Sequence, residues 1–213
     1  MSIAKNLKLI TDSIPSNVTL VAVSKTKPNT DILAAYSAGQ RVFGENKVQE
    51  LTKKQEELPA DIQWHMIGHL QTNKVKYIAS FVNLIHGVDS LKLLQEIDKR
   101  AVQNNRVIDC LLQVHIATEN TKFGFDIQEI KKTIEDSKRF KNINIKGLMG
   151  MTTFTDNTEK INTEFASISQ LFKQIKTNEL NILSIGMSGD YKLAINNNST
   201  MIRVGSAIFG DRN

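Results

Sequence analysis

Eight short β-prone segments, each followed by a stretch with helical spacing, recur along the 213 residues, and this alternation constrains the fold more than any other feature. The segments are Thr19–Ser24, Arg41–Phe43, Gln63–Ile67, Val82–His86, Asp109–Ile116, Ile145–Met149, Ile182–Ile185 and Met201–Val204. Alternating strands and helices imply parallel strands joined by crossovers. A doubly wound open sheet suits five or six strands and a Gly-rich turn after the first. Here a lysine follows the first strand instead. Eight βα units closing into a barrel take roughly 200 residues at minimum and ~250 typically. The expected fold is therefore a single TIM-type (β/α)8 barrel over residues 1–213, with short loops.

The stretches between strands carry helix signals. Thr30 or Asn29 is placed to cap Asp31–Ser37, with Gly39 ending that helix. Glu45–Glu57 is proline-free and followed by Pro59. Gln71–Ala79, Ser90–Gln103, Ile127–Ser137 and Thr158–Ile175 follow the same logic, and Ser188 or Asp190 would cap a last short helix through Asn196. Before the first strand, Ile3, Leu7 and Ile10 fall at the spacing of a short amphipathic helix.

Composition narrows the function classes. Charged residues make up 23% and hydrophobic ones 40%, as in ordinary globular proteins. No apolar run is long enough to cross a bilayer, and Lys5, Lys8 and Asp12 interrupt what would be a signal-peptide core. A cytoplasmic protein is expected. The single cysteine, Cys110, excludes an internal disulfide and any cysteine metal cluster, and beside Leu111 and Leu112 it reads as a buried inert thiol. Net charge is +5, with lysines dispersed; the densest basic part, Lys131 to Lys146, includes Glu135 and Asp136 and only one aromatic residue, Phe140. Nucleic-acid binding would call for a basic stripe with interleaved aromatics.

In a barrel of this type, chemistry sits at the C-terminal ends of the strands. Those ends carry Lys25, Gly44-Glu45-Asn46, Gly68-His69, Gly87-Val88-Asp89, His115, Gly186-Met187-Ser188-Gly189 and Gly205-Ser206. Strand alternation puts Val21, Val23 and Lys25 on one face. A lysine sharing a face with two valines is partly desolvated, which lowers its pKa toward an amine that attacks carbonyls. The plain alternative is a solvated lysine in a strand-to-helix turn, a description that suits Lys27.

The last two strands add an anion site. Loops after strands seven and eight form the recurrent phosphate site of these barrels. Glycines let backbone N–H groups approach an anion, and Ser188 and Ser206 each offer a hydroxyl. Arg203 shares parity with Met201 and Gly205, so it points into the barrel, where a buried arginine needs an anionic partner. In the plain alternative the glycines are turn residues and Arg203 pairs with an internal carboxylate. A Schiff-base lysine facing a phosphate cradle fits either pyridoxal 5′-phosphate (PLP) or a phosphorylated aldehyde or ketone sugar.

At this point the segments VAVSKTKP (21–28), RVFGENKVQE (41–50), WHMIGHLQTNKVK (64–76), LLQVHIATENTKFGF (111–125), GLMGM (147–151), LSIGMSGDYKLAI (183–195) and STMIRVGSAIFG (199–210) come into play together. In that order they resemble the pyridoxal phosphate homeostasis proteins, single-domain fold-type III PLP proteins similar to the barrel of alanine racemase. The resemblance runs from about Val18 to Asp211. It implies that Lys25 carries the PLP aldimine, that Asn46 lies near the cofactor ring, and that Ser188, Arg203, Gly205 and Ser206 surround the phosphate. Ser206 stands where threonine is also common. Two departures stand out: the N-terminal helix is shorter than usual, and His115 occupies a position where asparagine is frequent.

Other polar residues have simpler readings. His65 and His69 straddle a strand end rather than one helical face, and no acidic third ligand is nearby, so zinc is not expected. His86 reads as a hydrogen-bonded core histidine, and Trp64 and Met66 as packing against helices. Lys122 and Phe123 would touch a ligand or cover the mouth. Two functions from different classes follow from the resemblance: a PLP carrier or regulator without turnover, and a PLP-dependent amino-acid racemase or decarboxylase. A racemase needs acid–base groups on both faces of Cα. In alanine racemases a tyrosine from the partner subunit's second domain supplies one of them. This chain is too short to hold that domain, and Tyr36, Tyr77 and Tyr191 fall in predicted helices away from the rim. Carriage is therefore the expectation, by a monomer, with apo PLP enzymes as possible acceptors; a class I sugar aldolase ranks third.

Overall fold

The computed structural model describes residues 2–117 and 123–210. Its strands are β1 (Thr19–Val23), β2 (Val42–Glu45), β3 (Gln63–Met66), β4 (Leu84–Val88), β5 (Ile108–Val114), β6 (Ile143–Gly150), β7 (Ile182–Ser184) and β8 (Met201–Val204), all parallel and closed in sequence order as a barrel. β8 pairs back onto β1, with Val21 opposite Arg203 and Ala22 opposite Val204. The strands are buried on both faces, which is why they read as near-continuous apolar runs.

Two cores result from strand alternation. Inside the barrel lie Val21, Val23, Ile67, Leu84, Leu111, Met149 and Met201. Between barrel and helices lies the larger core, with Leu20, Ala22, Phe43, Trp64, Met66, Leu112 and Val204 from the strands. Trp64 and Met66 thus pack outward, as expected. The helices α1 (Ile3–Ser13), α2 (Asn29–Ser37), α3 (Val48–Glu57), α4 (Leu91–Gln103), α5 (Ile130–Ser137), α6 (Thr158–Ile175), α7 (Tyr191–Asn196) and α8 (Ser206–Phe209) surround it. In α4 the hydroxyl of Ser90 accepts from the N–H of Leu93 at 3.2 Å, and Leu93, Leu94, Ile97 and Ala101 form the buried stripe.

Several boundaries differ from the sequence reading. α2 begins at Asn29 with Pro28 as its N-cap, so neither Asn29 nor Thr30 caps it, and Asn29 Nδ2 donates to Glu57 instead. β4 starts at Leu84, because Asn83 Oδ1 accepts the Trp64 N–H that a strand carbonyl would otherwise take. The expected helix over Gln71–Ala79 is a 3-10 helix, Thr72–Tyr77, in which only Val75 is buried, too little apolar surface to hold a full amphipathic helix. Ile127–Ser137 divides into a 3-10 turn, Ile127–Glu129, and α5. The N-cap of α7 is Asp190, but its Oδ1 accepts from the N–H of Met187 rather than from the helix. β5 and β6 shift register between Cys110 and Leu111, opposite Gly147. A Cβ on Gly147 would lie 1.7 Å from the Ile182 carbonyl oxygen, and its φ is 157°, so only glycine fits this approach.

Candidate functional site

Lys25 follows β1 at the C-terminal rim, half-buried. The turn that holds it has a definite shape. The Ser24 carbonyl accepts from the N–H of Lys27 at 3.0 Å, and Thr26 between them has φ of 64°. An i→i+3 bond with positive φ at the third residue is the type II pattern, which favours glycine there; a β-branched threonine is strained in it. Lys27 turns elsewhere, its Nζ donating to the Phe209 carbonyl at 3.1 Å and lining an outer cleft with Pro28, Asn29, Glu50, Lys53, Lys54 and Glu57. The turn and the Phe209 contact therefore fix where Lys27 goes, while Lys25 stays at the rim.

Beneath the turn lies a buried charge cluster that the sequence reading missed. Lys54 Nζ donates to the Ser24 carbonyl at 2.8 Å, to Glu45 Oε1 at 2.8 Å and to Glu50 Oε1 at 2.7 Å. Glu45 Oε1 also accepts from Ser24 Oγ at 2.6 Å, and Glu50 Oε1 from the Thr26 N–H at 2.6 Å. Burial pushes the Glu45 carboxyl above the usual carboxylate range, against the pull of Lys54. The available signal was a lysine in the buried stripe of α3, three residues beyond Leu51.

Arg203 points inward as parity required, and it is 4% exposed. Its Nη1 donates to the Ser184 carbonyl and Oγ, both at 2.7 Å, and its Nη2 to the Gly150 carbonyl at 3.0 Å. Burial pulls the guanidinium down to about 10, and Asp190 opposes that shift. From Ser184 the chain of contacts continues to His86 Nδ1 at 3.1 Å and from His86 Nε2 to His65 Nδ1 at 3.0 Å. Burial holds both imidazoles neutral, His65 falling to about 3 and His86 well below its usual value. His86 is thus the hydrogen-bonded core histidine expected.

At the start of α8, Ser188 Oγ accepts from the N–H groups of Gly205 at 3.1 Å and Ala207 at 3.4 Å. A hydroxyl oxygen thus occupies the focus of two backbone donors, with Ser206 exposed beside it. No Cβ contact would arise at Gly189, whereas a Cβ on Gly205 would press on the carbonyl and side chain of Val23. Asn46 is half-buried at the end of β2, its backbone close over Gly68. The six expected residues therefore fall at or just inside one rim. Phe123 stacks on His69, ring centroids 3.8 Å apart, and Lys122 lies outside the described residues. His115 is half-buried, and its N–H donates to Phe125.

The family model described as "Alanine racemase, N-terminal domain" matches residues 1–213. The pyridoxal phosphate homeostasis protein of Aquifex aeolicus is 40% identical over 198 residues, covering 91% of this chain and 86% of the relative. The protein of that name from Schizosaccharomyces pombe is 40% identical over 202 residues, covering 92% and 85%.

The chain belongs to the pyridoxal phosphate homeostasis protein family.

Solved structures agree with the fold. PipY of Synechococcus elongatus, solved without PLP, superposes with a TM-score of 0.91 at 36% identity, covering 98% of this chain and 100% of PipY. PipY with PLP bound gives 0.89 at 34%, with the same coverage. Alanine racemase from Bartonella henselae, at 18% identity and a TM-score of 0.79, shares the barrel; the match covers 99% of this chain and 58% of that one. The family's homeostasis proteins are named for PLP, and the donor set here fits that molecule. It offers a primary amine at the rim, the Ser188 hydroxyl against the Gly205 and Ala207 N–H groups at the start of α8, an exposed Ser206 hydroxyl and an inward arginine.

Proposed function

We propose that this protein binds PLP as an aldimine on Lys25 and serves intracellular vitamin B6 homeostasis, holding and releasing the cofactor without turning over an amino acid. The observation that carries this reading is the placing, at one rim, of a half-buried lysine just after β1 together with Ser188 after β7 and Gly205 and Ser206 after β8. Lys25 would present the primary amine, and bound PLP would supply the aldehyde with which such an amine condenses with loss of water. Gly205, Ser206 and Ser188 would hold the phosphate, with Arg203 adding positive charge below it, and Asn46 would border the ring.

The positions of the tyrosines favour carriage over catalysis. Tyr36 Oη donates to Asp61, Tyr191 Oη lies 3.4 Å from Ser13 Oγ, and Tyr77 sits under Lys74 and Lys76. All three lie on the helical exterior, so none offers an acid–base group across the mouth from Lys25. Residues 1–213 would act as one monomeric unit in the cytoplasm, passing PLP to apo-enzymes; among the described residues no helix is long and apolar enough to cross a membrane.

The test incubates PLP-loaded protein with single-enantiomer amino acids in deuterated water, following α-proton exchange, racemisation and decarboxylation. A parallel sample contains an apo PLP enzyme as acceptor. Transfer without turnover is expected. Turnover at roughly 1 per second or faster would restore the racemase or decarboxylase alternative.

A further inference from the structure

The buried cluster under the β1–α2 turn has an unusual object: it grips the two peptide units on either side of Lys25. The peptide before Lys25 is held through its carbonyl, the Ser24 oxygen, by Lys54 Nζ at 2.8 Å. The peptide after Lys25 is held through its N–H, that of Thr26, by Glu50 Oε1 at 2.6 Å. An ammonium has three donors, and Lys54 directs them to Ser24, Glu45 and Glu50. Glu45 completes the set by accepting from the Ser24 hydroxyl at 2.6 Å.

A purely structural role does not account for this arrangement well. Glu45 is fully buried, and its Oε2 is a buried atom without a hydrogen-bond partner among the described residues. Apolar side chains of similar volume commonly stabilise as much as a buried ion cluster, without an orphaned oxygen. Apolar side chains cannot fix two peptide planes. Nor would a relaxed turn keep a threonine at φ of 64°; strain of this kind persists where the surroundings over-determine the backbone, typically at functional sites.

We propose that Lys54, set by Glu45 and Glu50, is the positioning residue for Lys25. It fixes the strained turn so that the Lys25 amine leaves the rim in one direction, toward the barrel mouth. This inference rests on the reading of Lys25 as the PLP attachment point and specifies what makes that lysine, rather than a mobile loop lysine, reactive. Pre-orientation acts on the rate of bond formation and leaves the phosphate cradle at Gly205 and Ser188 untouched.

Two probes separate these effects. Pyridoxine 5′-phosphate carries an alcohol in place of the aldehyde, so its affinity reads ring and phosphate binding alone. PLP mixed with the protein and trapped with borohydride at short times reads bond formation at Lys25, by mass and peptide mapping. Lys54→Met is expected to slow trapping at least tenfold while binding pyridoxine 5′-phosphate within twofold of wild type. Glu50 is partly exposed, so its variants provide a test even where Lys54→Met does not fold. Glu50→Gln keeps an acceptor for the Thr26 N–H and is expected to trap within threefold of wild type, whereas Glu50→Ala is expected to lose about tenfold. Unchanged trapping in Glu50→Ala, or equal losses for both probes, would overturn the positioning role while wild-type label on Lys25 upholds the attachment point. Wild-type label on Lys27, or on no lysine, would overturn the attachment point and the positioning role together.

Discussion

His86 Nε2 lies 3.0 Å from His65 Nδ1 inside the barrel, and the two rings join Arg203 through Ser184 in one buried polar chain. Both imidazoles are held neutral, mainly because burial disfavours their charged forms. Below the ordinary histidine value the unfolded chain takes up protons that the folded barrel refuses, so stability falls with pH. For His65 the loss begins near 6.5 and continues toward about 3. At pH 5 it amounts to roughly 2 kcal/mol for this residue. Urea unfolding at pH 7 and pH 5 should show that loss, and His65→Gln should flatten it; an unaltered slope in the variant would contradict the assignment.

Arg203 is a strut of the barrel and, on the proposed reading, also a wall of the PLP site. Arg203→Ala removes donors from the Ser184 and Gly150 carbonyls and should cost about 1–3 kcal/mol of stability. It should also lower PLP affinity by roughly 2 kcal/mol, the order expected when a desolvated charged partner is lost. Pyridoxal, without the phosphate, should bind far more weakly than PLP to the wild type. Equal affinities for the two, measured by titration, would remove the case for a phosphate cradle.

Gly205 tests the cradle from its backbone side. A Cβ there would stand 3.2 Å from the Val23 carbonyl oxygen and 3.3 Å from Val23 Cβ, close enough to shift the start of α8. Gly205→Val should fold, yet bind both PLP and pyridoxine 5′-phosphate at least tenfold more weakly, about 1.4 kcal/mol. Binding within twofold of wild type would place the phosphate elsewhere.

The barrel was legible in the sequence because its signals are local. Thr19–Val23 and Met201–Val204 are short apolar runs, and Ser90 stands directly before an apolar stripe at helical spacing. Period-two alternation sufficed to turn Arg203 inward. What escaped depends on contacts between distant segments. Asn83 completes a strand bond with its side chain, shortening β4, and no propensity encodes that. The Glu45–Lys54–Glu50 cluster forms because β1 and β2 pair with Val23 opposite Gly44, which sets the end of β2 beside the Lys25 turn. Ser188 does not cap α7, whose N-cap is Asp190; its hydroxyl oxygen accepts from the N–H groups of Gly205 and Ala207, a contact between distant loops.

Gly147 tests the barrel's closure in the same terms. Gly147→Ala brings a methyl group against the Ile182 carbonyl at a φ that side chains rarely adopt. The variant should lose about 3 kcal/mol or more, as strain and overpacking combine. Thermal unfolding checks this, and a melting temperature equal to wild type would contradict the close β6–β7 approach.

The central claim, that Lys25 is the residue carrying PLP, is tested most directly by borohydride reduction of the PLP-loaded protein followed by peptide sequencing in a mass spectrometer. The expected result is one reduced pyridoxyl adduct on Lys25, with Lys25→Ala remaining folded but lacking both the adduct and the long-wavelength absorbance. An adduct on Lys27, or an absorbance band that persists in Lys25→Ala, would contradict it.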